Sequence, residues 1–213
     1  MCARYSFCTL PVAASPSEMQ KTGRLPSQWR AVFCDLHASR YSTRRMRMVF
    51  TDGAKSLERS GSAVWSPQFS IMARLPASIS VFTAELFAIY LALQFLKTTP
   101  GRFVLHTGCL SAIAALQILR RSSHHLLASI LPLLESFLSG KVFLEWVPSH
   151  VGIEGNEMAD RLVYRSLTLQ TITLVHSSVM ELRSTIGHCY FCTWSSQWST
   201  LSPDLICFKP DLR

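Results

Sequence analysis

Three carboxylates and one imidazole stand out through the words that surround them. Asp52 lies in ThrAspGlyAla (51–54) and Glu85 in ThrAlaGluLeu (83–86), while His150 opens and Asp160 closes HisValGlyIleGluGlyAsnGluMetAlaAsp (150–160). Hydrolysis of a phosphodiester needs a nucleophilic water and a stabilised leaving oxygen. Two divalent cations about 4 Å apart serve both when acidic oxygens hold them. Hard ions such as Mg2+ prefer such oxygen ligands. Each residue alone is commonplace: an Asp before Gly is most often a turn residue, a Glu in a first helical turn favours the positive helix end, and an Asp on a helix is usually solvated. The ordered combination carries the meaning.

Such residues must be positioned by elements that end near one point. MetValPheThr (48–51), SerAlaValTrp (62–65) and PheSerIleMetAlaArgLeu (69–75) read as three strands of a meander, the third stopped by Pro76. From Thr83, a possible N-cap, Leu86, Ile89, Tyr90, Leu93 and Leu96 recur at helical spacing until Pro100 and Gly101. A short strand (103–107), helices over 111–119 and 126–138, a fifth strand (141–148) and a helix over 156–167 capped by Asn156 follow. Strands and helices in this order predict an α/β protein, a five-stranded mixed sheet flanked by helices. Asp52 then ends a strand, and Glu85 and Asp160 sit in early helical turns.

Residues 48–167 resemble a type 1 ribonuclease H domain, in the version found in retrotransposons lacking long terminal repeats. The resemblance rests on PheThrAspGlyAla, ThrAlaGluLeuPheAlaIle, LeuSerAlaIle (110–113) and the long TrpValProSerHisValGlyIleGluGlyAsnGluMetAlaAspArgLeu (146–162). It implies a ribonuclease H-like sheet and metal-dependent endonucleolytic cleavage of the RNA strand in an RNA/DNA hybrid. Asp52, Glu85 and Asp160 match metal-binding carboxylates for Mg2+ or Mn2+, two ions in all. His150 matches a mobile-loop histidine that assists proton transfer or product release, and Gly152 and Gly155 fit a loop that must bend. A fourth carboxylate is expected in a word like ThrAspSerLeuSerAlaIle. This chain reads ThrGlyCysLeuSerAlaIle (107–113), so Gly108 supplies no ligand. Cys109 is a soft ligand and His106 an imidazole, both poor for Mg2+. Impaired cleavage is therefore expected, and the alternative is an inactive nucleic-acid-binding domain that keeps the fold. A decayed transposon fragment without selected function is a third reading.

Charge and composition set the context. Hydrophobic residues make up 48% and charged ones 16%, the profile of a folded protein. Residues 1–48 hold eight basic against two acidic side chains, so the excess lies outside the motifs. Arg40, Arg44, Arg45 and Arg47 could meet phosphates or form a solvated linker, and Lys55 is a weaker candidate for the backbone of a nucleic acid. Seven scattered cysteines without an export signal favour a reducing intracellular compartment, nucleus or cytoplasm, and no secretion. The apolar runs 86–96 and 126–138 are short for a bilayer, so no membrane span is expected. The reading divides the chain into a basic, poorly ordered leader (1–46), the ribonuclease H domain (47–168) and a partly helical tail (169–213). The domain is expected to be monomeric and once part of a reverse-transcriptase polyprotein. In the tail, CysTyrPheCys (189–192) lacks a second pair to complete a zinc site, which favours a buried structural role. Trp194 and Trp198 share a helical face suited to packing on the domain.

Overall fold

A computed structural model describes residues 25–41, 46–118, 124–137 and 140–199. Arg44 and Arg45 of the basic run lie outside the described residues. Helix α1 (Pro26–Tyr41) comes first. Strands β1 (Arg47–Lys55), β2 (Ser60–Ser66) and β3 (Phe69–Leu75) form the meander, and helix α2 (Val81–Thr98) leads to β4 (Phe103–Thr107). Helices α3 (Leu110–Gln117) and α4 (His125–Ser136), strand β5 (Val142–Trp146) and helices α5 (Glu154–Ser166) and α6 (Val179–Ser199) complete the order. The sheet runs β3-β2-β1-β4-β5. The meander is antiparallel, whereas β1–β4 and β4–β5 are parallel because helices cross over between them.

Alternation along β1 divides its side chains between two layers. Val49 joins Leu105, Leu144 and the apolar stripes of α2, α3 and α4 in the main core. Phe50 points the other way, packing with Val147, Ile153 and Ala159 beneath α5. Helix α2 is long and apolar enough by composition alone to cross a bilayer, and it owes that composition to its place as the central core helix. Its cap is Ser80, whose Oγ accepts the Thr83 N–H at 3.1 Å; Thr83 itself lies inside the first turn. Helix α5 likewise starts before Asn156, which is buried in its first turn, while Glu154 and Glu157 face the positive helix end.

Within the leader, the described residues 26–41 are helical. Pro26 begins a helix, the position its fixed φ suits, and Trp29, Phe33, His37 and Tyr41 recur every four residues along it. Trp29 and Tyr41 are buried, and Phe33 sits edge-on to His106 at 5.2 Å between ring centroids. This stripe covers the β1/β4/β5 face that α5 leaves open.

The tail is also tied down at its start. Arg74 Nη1 donates to Leu169 O at 2.9 Å, and Thr173 N donates to Arg74 O at 2.7 Å, holding the chain along β3. Glu181 then caps two helices at once. One carboxylate oxygen accepts the Ser178 N–H at 2.6 Å within α6's own capping box, and the other accepts the Ser80 N–H of α2 at 2.6 Å. Further along, α6 is mostly exposed. Cys189 and Cys192 lie on its surface rather than in a buried structural role, and Trp194 and Trp198 are partly exposed and meet each other at 5.5 Å between ring centroids.

Candidate active site

Asp52 and Phe50 project from the same side of β1, so Asp52 reaches the face where α5 carries Asp160, and the two side chains hydrogen-bond. Glu85 comes from the second turn of α2, which approaches β1 so closely that Gly53 lies against the backbone of Ala84 and Glu85. A Cβ at position 53 would overlap that backbone, which explains the glycine directly after Asp52. The Gly53 N–H is hydrogen-bonded to these carboxylates, and Glu85 also hydrogen-bonds Asp52. Glu85 is only 8% exposed, and its buried Oε2 has no hydrogen-bond partner. Burial first, and then repulsion from Asp160, pushes the Asp52 carboxyl up to about 7. Burial and the neighbouring Asp52 push Glu85 up to about 9. Three acids thus converge, and burial and repulsion favour the protonated forms of Asp52 and Glu85, although His150 lies near enough to oppose this at Asp52.

Asp160 has further company. His150 adopts the left-handed conformation, φ 58°, on the loop before α5, and Gly152 follows with φ 79°. Gly152 N donates to Glu157 Oε1 at 3.3 Å, which ties this loop to the first turn of the helix. One ligand atom each from His150, Glu157 and Asp160 lies within 4.8 Å of the others. Gly155 has a different task from the expected bend: it lies within α5, against the Phe50 ring, where a Cβ would overlap the aromatic carbons. Its lack of a side chain lets α5 bring Asp160 down onto β1.

The RNase H family model matches residues 44–168, which contain all five strands and every residue of this cluster. The chain belongs to the ribonuclease H family. Among curated proteins, none matches it. The five-stranded order and parallel β1/β4 pair agree with a ribonuclease H fold, and the family acts on the RNA strand of RNA/DNA hybrids.

Within this ribonuclease H domain, the register pairs Thr51 with Thr107, so Asp52 and Gly108 follow side by side; Asp52 does not end its strand, since β1 runs on to Lys55 along β2, whereas Gly108 comes directly after β4. A side chain at 108 would share the edge where Asp52 stands. That space is taken by the Ser149 hydroxyl. Cys109, at the N-cap of α3, is half-buried with Sγ 3.2 Å from Ser111 Oγ, and burial raises its thiol, so it is not a ready thiolate. His106 is fully buried, stacked on Phe50 at 4.8 Å between ring centroids. Burial lowers its pKa to about 3, keeping it neutral, and Glu145 lies 3.9 Å from its Nδ1 beneath α1. It does not join the carboxylates.

Divalent cations fit the residues of this ribonuclease H site. Asp52, Glu85 and Asp160 offer hard oxygens, and the unpartnered Glu85 Oε2 is the kind of buried acceptor a cation satisfies. Lys55 stands apart. It is exposed at the rim of a cavity of about 760 Å³ between the end of β1, the start of α2 and the first turns of α6, with Ser80, Thr83, His124 and Glu181 on its walls. Two residues of the site are not singled out by sequence pattern. Glu157 is three positions before Asp160 and so on its helical face, a spacing that could have drawn attention to it. Ser149 leaves no such signal, because its contact with position 108 exists only in three dimensions.

Proposed function

We propose that this protein is an RNA/DNA hybrid endoribonuclease of retrotransposon origin whose metal site is weakened at position 108. The convergence of Asp52, Glu85 and Asp160 at the mouth between β1, α2 and α5, with a buried Glu85 oxygen lacking a partner, carries this reading. Asp52 from β1, Glu85 from α2 and Asp160 from α5 would hold the cations. When bound, divalent cations activate water and stabilise the leaving oxygen of the cleaved phosphodiester. The protein's own part is to aim the acids, through the packing of α2 on β1 and the Gly53 N–H, which also favours their charged forms against the effect of burial. His150, exposed on the loop that turns at Gly152, would serve the proton at the departing oxygen.

Gly108 removes one oxygen ligand and one negative charge. Fewer ligands lower cation affinity, and positioning lost at the metal reduces rate by orders of magnitude. A specific observation favours a second reading, in which the domain binds hybrid without cutting it: the Ser149 hydroxyl occupies the space that a side chain at position 108 would need. The decisive experiment incubates the purified protein with a labelled RNA/DNA hybrid in Mg2+ and in Mn2+, beside Asp52→Asn. Cleavage that disappears in D52N supports the nuclease. Salt-sensitive hybrid binding with no cleavage in either metal supports the binding domain.

A further inference from the structure

A second group of metal-ligating side chains lies on α6, outside the carboxylate site and outside the residues matched by the family. HisCysTyrPheCys (188–192) falls in the middle of that helix. Cys189 and Cys192 are free and exposed, an uncommon placement for a residue type that is usually buried. The His188 ring is turned onto Cys192, whose Sγ lies 3.6 Å from Nδ1 and 3.9 Å from Nε2. Zinc bound in a tetrahedron by sulfur at about 2.3 Å and by nitrogen at about 2.0 Å sets those two atoms roughly 3.5–3.6 Å apart. The His188 and Cys192 pair already has the edge length of such a site. Cys189 stands three positions before Cys192, where helical neighbours share a face, and a turn about its χ1 carries its Sγ toward the same point. The sequence offers CysTyrPheCys no second cysteine pair, and the helix supplies a third donor from His188, one turn before Cys192.

We infer that His188, Cys189 and Cys192 hold one Zn2+ on α6, at a site separate in place and in chemistry from the carboxylates. Thiolate and imidazole donors select zinc, whereas Mg2+ and Mn2+ go to carboxylate oxygens. Both thiols give up their protons on binding, so two thiolates match the charge of the ion. His188 and Cys189 line the cavity between the first turns of α6, the start of α2 and the end of β1, and a water completes the tetrahedron from that side. The helix has a local need for such a staple. Gly187 stands in its interior, where a Cβ would meet nothing within 4 Å, so it weakens the helix without admitting any neighbour. Residues 182–193 are exposed throughout, and little tertiary burial offsets that weakness. An ion tied to positions 188, 189 and 192 fastens the turn directly after the glycine.

The test is a Co2+ titration of the reduced protein, with Co2+ as the coloured stand-in for zinc and excess Mg2+ present to cover the carboxylates. Wild type should develop thiolate-to-metal charge-transfer absorption and tetrahedral d–d bands that saturate at one ion per chain. Zn2+ should bleach them, and Mg2+ should not. Cys189→Ser and Cys192→Ser should each weaken binding by about tenfold or more and reduce the charge-transfer intensity, while His188→Ala should weaken binding to a similar degree with the thiolate bands kept at saturation. All three positions are exposed, so the substitutions leave the core untouched. Far-UV circular dichroism gives a second readout: Zn2+ should raise the helical signal of wild type and leave that of the Cys189→Ser/Cys192→Ser double variant unchanged. The absence of a thiolate band in wild type, a band that persists in the double variant on the remaining cysteines, or saturation at one ion per two chains would each overturn the inference.

Discussion

The Ser149 hydroxyl occupies the volume that a side chain on Gly108 would need. The obstacle is one rotatable group rather than backbone, so turning it aside should cost about 1 kcal/mol. Gly108→Asp is therefore expected to fold and to raise Mg2+-dependent hybrid cleavage by about tenfold or more over wild type. Adding Ser149→Ala to G108D should increase the gain, while Ser149→Ala alone should leave cleavage near wild type. Single-turnover rates on one hybrid substrate check all three, and a G108D rate no higher than wild type would refute the account of impairment.

Gly53→Ala should be more damaging than any change at 108. Its Cβ would meet the Ala84 and Glu85 backbone, which cannot rotate away, so α2 must shift from β1. A loss of about 1–3 kcal/mol in denaturant unfolding is expected from overpacking of this kind. Because the displaced segment carries Glu85, divalent-metal binding should weaken as well.

Metal-free protein should lose stability as pH rises. Asp52 and Glu85 ordinarily titrate near pH 4, and in the folded site they are raised to about 7 and about 9. Between these limits the folded state binds more protons than the unfolded one, so the slope of stability with pH is negative. The contribution is full below about pH 4 and is lost through 7 and then 9. Chemical denaturation at pH 5, 7 and 9 in chelator should show a decline on the order of a few kcal/mol. Glu85→Gln, which holds no charge at any of these values, should flatten the curve, and saturating Mn2+ should restore stability at the alkaline end.

What the sequence discloses and what it hides divide along physical lines. Period-2 and helical patterns disclose the five strands and α2, because each has one face in a continuous core. The words around Asp52, Glu85, His150 and Asp160 are legible because backbone constraints and chemistry coincide there: Gly53 must admit α2 and Gly155 must admit Phe50. Helix α1 is hidden because its buried stripe is one residue wide and mixes Trp29, Phe33, His37 and Tyr41 with polar neighbours, so hydrophobicity alone shows no period. Cap identities slip by a few residues at α2 and α5 because Ser80 and Ile153 take positions that local preference offers equally to Thr83 and Asn156.

Glu181 connects positions 101 residues apart, since its carboxylate closes the first turns of α2 and α6 together. The first turn of α6 cannot open without carrying away the acceptor of the Ser80 N–H as well as that of Ser178. Slow exchange of the Ser80 and Ser178 amides with deuterated solvent should therefore occur in one shared event, at a common free energy. The segment following the site's last acid acts as a latch: opening at the start of the helix that carries Glu85 is opposed by a residue 101 positions downstream of its cap.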